Sequence, residues 1–150
     1  MTGLIVVDTN VIVASRVEGH VHHASSLALF TANPPLNIAV PAHCYAEAFT
    51  TLTRRGPRAP FQWPAEEAWP ALESMANVSQ LIGLSPAQGF AAVREYAAMG
   101  NIGARIYDYL IAKTALSAGA NVLVTWNVGH FEGLVKGLEV QTPTGFLQRG

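Results

Sequence analysis

The chain has 150 residues, of which half are hydrophobic and only 13% are charged, and its formal net charge is −1. This composition excludes an intrinsically disordered chain, and the length predicts a single domain over residues 1–150 that buries roughly 70% of its unfolded surface. We find no export signal and no apolar run near the roughly 20 residues of a membrane span, so we expect a cytoplasmic protein, and the near-neutral charge does not by itself favour nucleic-acid binding.

Five short segments predict β-strands, because they are mostly apolar and are bounded by turn-forming residues. In chain order they cover residues 4–7, 36–40, 79–84, 121–125 and 138–142. Strands that are apolar throughout, instead of at every second position, are typical of a parallel sheet with helices on both faces.

Five segments between these strands have the spacing of helices. They cover residues 21–32, 42–55, 65–78, 86–99 and 104–118. Breaks at residues 54–60 and 100–103 divide two of the connections into pairs of helices. The alternation of strands and helices predicts an α/β fold with three layers, α/β/α.

Three acidic residues are placed where an α/β fold collects its ligands. Asp8 follows the first strand in "LIVVDTNVIV", Glu47 lies on the helix after the second strand, and Asp108 lies near the start of the fifth predicted helix. In open α/β sheets, ligands bind beyond the carboxyl ends of the strands, where the strand order reverses. Taken singly, Asp108 also suits a helix N-terminus, and Glu47 also suits a solvated surface.

Convergence of these acids would require a cation. Two carboxylates about 4 Å apart repel by ~4 kcal/mol at an effective dielectric constant near 20. Ligation by oxygen alone favours Mg²⁺ or Mn²⁺, whereas zinc prefers Cys and His ligands. A divalent metal shared by Asp8, Glu47 and Asp108 would explain why an apolar strand ends in a carboxylate.

Four segments carry a resemblance to a known family. They are "VVDTNV" at residues 6–11, "AEAF" at 46–49, "YDYLIAKTAL" at 107–116 and "LVTWNVGHF" at 123–131. In this order the segments resemble the PIN-domain ribonucleases and, within them, the toxin half of VapBC-type toxin–antitoxin pairs. The resemblance implies a five-stranded parallel sheet, cleavage of single-stranded or looped RNA by a metal-activated water, 5′-phosphate and 3′-hydroxyl products, and a VapB-type antitoxin partner.

The resemblance also implies roles for particular residues. The acids of the family correspond to Asp8, Glu47 and Asp108, as metal ligands and catalytic residues. Asn127 occupies a fourth catalytic position that often carries Asp in the family, which puts a second tightly bound metal in doubt. Thr9 and Thr125 are expected to supply hydroxyls to the acidic cluster. Asn10 is expected to anchor the loop after the first strand and Arg105 to hold the RNA backbone, and these four residues form the predicted substrate-binding set.

Other features indicate structural roles or a protein interface. Cys44 is expected to be a buried helical residue, and the "HVHH" cluster at residues 20–23 lacks the partner motif of a metal site. We expect His130 to anchor its loop. Trp63 and Trp69 lie on the helical pair between the second and third strands, and they suggest a surface for a homodimer or an antitoxin.

Competing functions are only partly excluded by the sequence. A haloacid-dehalogenase-type phosphatase needs a second Asp where the chain has Asn10, a receiver domain needs an Asp after the third strand, and no glycine-rich phosphate loop follows any strand. A catalytically impaired PIN-like domain that binds RNA or protein stays open, because Asn127 replaces an acid.

Overall fold

The structure, a computed structural model, describes residues 3–149, so Met1, Thr2 and Gly150, the ends of the predicted domain, lie outside the described residues. A single five-stranded sheet forms its centre, all its pairings are parallel, and its strand order is β3-β2-β1-β4-β5. The strands are β1 (Ile5–Val7), β2 (Ile38–Pro41), β3 (Gln80–Ile82), β4 (Val122–Val124) and β5 (Glu139–Gln141). The predicted α/β fold with a five-stranded parallel sheet is confirmed.

Eight α-helices and one short 3₁₀ turn at Gly103–Arg105 accompany the sheet in the described residues. The helices are α1 (Thr9–Arg16), α2 (His23–Phe30), α3 (Ala42–Thr53), α4 (Ala65–Ala76), α5 (Pro86–Ala98), α6 (Ile106–Ser117), α7 (Val128–Phe131) and α8 (Pro143–Leu147). The five predicted helices correspond to α2 to α6, each slightly shorter than predicted.

Helices α1, α7 and α8 were missed in the sequence. The stretch Val11–Ser15 within α1 is buried at every position, so it lacks the polar face by which a helix is recognised. Its valines and isoleucine also favour strands, and tertiary packing overrides that preference here. Helices α7 and α8 have only four and five residues, which is too short for a periodic pattern.

The helices form two groups that cover the two faces of the sheet. Helix α1 contacts α2, α3 and α4, α3 also contacts α4, and α8 contacts α2, whereas α5 and α7 each contact α6. Right-handed crossovers from β1 to β2 to β3, followed by a return to β4 and β5, place these groups on opposite faces. The three central strands, β1, β2 and β4, consist of apolar residues, and every one of these residues is buried.

The order of the strands reverses between β1 and β4, which are neighbours in the sheet. Ile5 pairs with Val122 and Val7 pairs with Val124, so both strands end at the same level. Asp8 follows β1 and Thr125 follows β4, and the Asp8 N–H donates to the Val124 carbonyl at 3.0 Å. The fold therefore creates a crevice at this edge, as open parallel sheets do. Within residues 3–149, no helix combines the length and hydrophobicity needed to cross a bilayer.

Candidate active site

A cavity of about 320 Å³ opens at the carboxyl edge of the sheet. Asp8, Glu47, Asp108 and Asn127 all line it, together with Thr9 and Asn10. The three predicted acids, which are separated by up to 100 positions in the chain, therefore face one space. No Lys or Arg is present among the described residues that line this cavity, so the acids give it a negative charge.

Asp8 is buried, and three donors hold its carboxylate. Oδ1 accepts the Thr9 N–H at 2.7 Å, while Oδ2 accepts the Thr125 hydroxyl at 2.8 Å and the Asn10 side-chain amide at 3.1 Å. Burial raises the pKa of Asp8, and the negative charges of Asp108 and Glu47 add to the rise, while the bonds from Thr125 and Thr9 oppose it. A cation in the cavity would relieve this charge.

Thr125 supports Asp8 without lining the cavity. It supplies its hydroxyl to the acidic cluster as predicted, but it is fully buried and does not line the cavity, so its burial does not support its place among the substrate-binding residues. Its hydroxyl donates to Asp8 and accepts from the Asn10 side chain at 3.1 Å and from the Asn127 N–H at 3.0 Å. The hydroxyl is thus used entirely within the protein, and Thr125 positions the carboxylate.

Asn10 connects the carboxyl ends of the two central strands. Its side-chain amide donates to Asp8 and Thr125, and its Oδ1 accepts the Trp126 N–H at 3.0 Å. The sequence predicted that Asn10 anchors a loop after β1. The structure instead places Asn10 in the first turn of α1, which begins directly after Asp8.

Glu47 is linked to Asp8 through Thr9. The Thr9 hydroxyl donates to Glu47 Oε1 at 3.0 Å, while the Thr9 N–H donates to Asp8. His43, one turn earlier on α3, places Nε2 3.3 Å from the same oxygen of Glu47. Thr9 therefore holds two carboxylates at once, and its hydroxyl supports the acidic cluster as predicted.

Asp108 lies in the first turn of α6, as predicted. Partial burial raises the pKa of Asp108 and the charge of Glu47 adds to the rise, whereas His130 and Arg105 lower it. His130 Nδ1 lies 3.8 Å from Asp108 Oδ2, and the Arg105 guanidinium donates to the backbone carbonyl of His130. Arg105 is exposed and does not line the cavity, so direct RNA contact by Arg105 stays a prediction.

The donor set of the cavity fits a hard divalent cation. Three of its ionisable lining residues are carboxylates, which Mg²⁺ and Mn²⁺ prefer, and the fourth is His20. Within residues 3–149, no three Asp, Glu, His or Cys side chains form a ready-made metal cluster. A cation at this cavity would therefore be held by one or two of the carboxylates as they stand, with waters and a substrate phosphate completing its ligands, as is usual for Mg²⁺.

Five lining residues were not predicted as site residues, namely Val13, His20, Thr51, Phe61 and Ile111. His20 belongs to the "HVHH" cluster, which was considered only as a metal site, and its closeness to the acids depends on the turn between α1 and α2. Phe61 lies in the segment between α3 and α4, and no pattern in the sequence indicates its position. Cys44 is buried as predicted.

Comparisons with known proteins agree with this geometry. A matched chain in the structure of Rickettsia felis VapBC2 is 20% identical over 93% of this chain and 98% of that chain, with a TM-score of 0.63. Mycobacterium tuberculosis VapC20 is 18% identical over 79% and 86%, with a TM-score of 0.61, and Haemophilus influenzae VapBC-1 is 20% identical over 94% and 98%, with a TM-score of 0.62. At these identities the likeness shows a shared fold. No curated protein sequence matches the chain significantly.

The family is shown by sequence. The PIN domain family model matches residues 5–130, which include all three acids and Asn127. The chain belongs to the PIN domain family.

Proposed function

We propose that this chain is a Mg²⁺- or Mn²⁺-dependent endoribonuclease and the toxin component of a VapBC-type toxin–antitoxin pair. The observation that carries the proposal is the meeting of Asp8, Glu47 and Asp108 in one cavity of a PIN domain. PIN domains are nucleases as a family, and three converging carboxylates suit phosphodiester cleavage with a divalent cation.

The solved structures that share the fold support the toxin assignment. VapC20 is described as a toxin that cleaves the sarcin-ricin loop, and other matched chains come from VapBC complexes and from Neisseria gonorrhoeae FitAcB. The proposal extends the nuclease activity and the antitoxin partner of such proteins to this chain.

The residues of the chain would prepare the site for a metal. Asp8, Glu47 and Asp108 are the candidate ligands, and the bound metal would polarise a phosphate oxygen and supply a nucleophilic water. Thr9, Asn10 and Thr125 hold Asp8 in a fixed orientation with donors that favour its ionised form. Asn127 offers a neutral amide at the cavity, so the site carries one negative charge less than a site with four acids.

The partner surfaces belong to the same proposal. Trp69 on α4 and Phe90 on α5 are 59% and 77% exposed, which supports a protein interface on these helices. Trp63, by contrast, packs against the core. We propose that the exposed apolar residues serve a homodimer and an antitoxin contact.

RNA cleavage by the purified protein tests the enzyme. We expect cleavage with Mg²⁺ or Mn²⁺, its loss with EDTA and its recovery when either metal is added back. Asp8→Asn and Asp108→Asn should remove activity, whereas Glu139→Gln, at the opposite edge of the sheet, is the matched acidic control. Cleavage that persists in both Asp variants would defeat the assignment.

Growth tests the toxin role separately. Expression of the wild-type chain should slow growth, Asp8→Asn should not, and co-expression of a short protein encoded beside the gene should restore growth. RNA binding without cleavage under any metal would instead favour a catalytically impaired binding module, for which Asn127 is the supporting observation.

A further inference from the structure

His20 lines the acidic cavity but belongs to neither the family motifs nor the acidic cluster. It lies in the turn between α1 and α2, and it is partly buried. Its N–H donates to the Val17 carbonyl, and its own carbonyl accepts the His23 N–H, both at 3.0 Å. The backbone of His20 is therefore held on both sides.

The ring of His20 has a defined proton arrangement. Its Nδ1 accepts the backbone N–H of His22 at 3.0 Å, so Nδ1 carries no proton. A neutral imidazole with an acceptor at Nδ1 carries its proton on Nε2. Burial lowers the pKa of His20, and the nearby His22 and His23 lower it further, a direction that disfavours the protonated ring. The free nitrogen of His20 is thus an N–H donor.

Aromatic stacking connects this turn to Trp126, which follows β4. The rings of His22 and Trp126 stack at 3.7 Å with an interplanar angle of 9°, and the Trp126 indole N–H donates to Ser26 at 2.8 Å. The Trp126 backbone N–H also holds Asn10, which holds Asp8. The position of His20 relative to Asp8 is therefore set by a continuous series of contacts.

The other polar donors at the cavity are largely committed. The Thr9 hydroxyl donates to Glu47, the Thr51 hydroxyl donates to the Glu47 carbonyl, and the Asn10 amide donates to Asp8. Among the described lining residues, this leaves His20 and the side chain of Asn127 without a hydrogen bond through their donor groups. A phosphodiester has only acceptors to offer, and it enters a cavity that lacks Lys and Arg.

We propose that His20 is a substrate-positioning residue, whose Nε2–H donates to a non-bridging oxygen of an RNA phosphate at the acidic cavity. This inference rests on the proposed ribonuclease function and adds a specific contact to it. A neutral donor suits this position, because a cationic side chain would form an ion pair with the acids that are needed to hold the metal. A neutral N–H binds the phosphate without doing so.

Two variants separate the donor from the shape of the ring. In His20→Asn the side-chain oxygen can still accept the His22 N–H, but no donor reaches the position of Nε2. In His20→Gln the longer side chain places its amide NH₂ group at that position. Val21→Ala, at a residue that is 86% exposed in the same turn, is the control. All are compared for cleavage of a short single-stranded RNA and, in an Asp8→Asn background, for RNA affinity.

We expect His20→Asn to raise KM and to weaken affinity about tenfold or more, as for one hydrogen bond to a charged group, with kcat changed less. His20→Gln should recover most of the affinity, and Tm should be equal in both variants. Equal losses in the two variants, or no loss in either, would overturn the role of His20 while leaving the ribonuclease intact. If the wild-type chain neither binds nor cleaves RNA, the proposed function and this inference both fail.

A modified substrate identifies the contacted group. In a series of RNAs, one phosphate at a time is replaced by an uncharged methylphosphonate. When the replaced phosphate is the one that His20 contacts, wild type and His20→Asn should bind the RNA with nearly equal affinity. If the His20→Asn loss persists at every modified phosphate and instead follows the identity of a base, the phosphate contact is refuted.

Discussion

Thr125→Val removes one buried hydroxyl while it keeps the shape of the side chain. The hydroxyl donates to Asp8 at 2.8 Å and accepts from Asn10 and from the Asn127 N–H at 3.1 and 3.0 Å. The hydrogen bond from Thr125 to the Asp8 carboxylate contributes about 1.5–3 kcal/mol, as for a bond to a charged group. Loss of the bond from the Asn127 N–H costs little, because Asn127 is exposed and its N–H can bond to water instead. We therefore expect a loss of about 2 kcal/mol in the free energy of unfolding, or roughly 4–8 °C in Tm.

The size of this loss should depend on pH. Burial raises the folded-state pKa of Asp8 above its unfolded value. The stability that Asp8 contributes is therefore fully present below the unfolded pKa, and it is lost as pH rises through the folded pKa. The Thr125 hydroxyl opposes this rise, and its removal raises the pKa of Asp8 further. The destabilisation by Thr125→Val should thus become smaller as pH falls from about 8 to about 4 and Asp8 takes up its proton.

Urea denaturation of wild type, Thr125→Val and Thr125→Ser over this pH range measures the effect. Thr125→Ser keeps the hydroxyl and loses one methyl group, so its destabilisation should vary little with pH. In an RNA-cleavage assay, the acid limb of the activity profile of Thr125→Val should move to higher pH. A destabilisation by Thr125→Val that is the same at both ends of the range would refute the coupling between Thr125 and the charge of Asp8.

Four further outcomes are expected. Asp108→Asn should lower RNA cleavage by about 100-fold or more without lowering Tm, because partial burial raises the pKa of Asp108 and makes its ionised form costly; a clear fall in Tm would contradict this. Thr9→Val should lower cleavage by about tenfold through loss of the Glu47 hydrogen bond, and unchanged kinetics would argue against that link. Cys44 should react with thiol reagents only in urea, because burial raises the pKa of its thiol, and rapid labelling of the native protein would disprove its burial. Leu123→Ala, in the fully buried strand β4, should cost about 2–5 kcal/mol in urea denaturation, and a loss below that range would show that the core collapses around the change.

The sequence alone determined the class of fold, because its signals are local. Apolar runs without alternation identify strands that are covered on both faces, and intervening segments with helical spacing identify the crossovers. The same signals failed for α1, where burial on all sides removes the periodic pattern. The three acids were also recognisable, since Asp8 follows an apolar strand and the family motifs include Glu47 and Asp108.

The tertiary structure decided how those acids are held and what surrounds them. Thr125 supplies a hydroxyl to the acidic cluster as predicted, and the structure adds that it is fully buried and supports Asp8 without lining the cavity. Arg105 does not line the cavity either, because the register of β1 against β4 and the start of α6 decide which side chains do. His20 reaches the cavity only through the turn that follows α1. Such contacts join residues that are distant in the chain, and no local pattern of side chains encodes the distance between them.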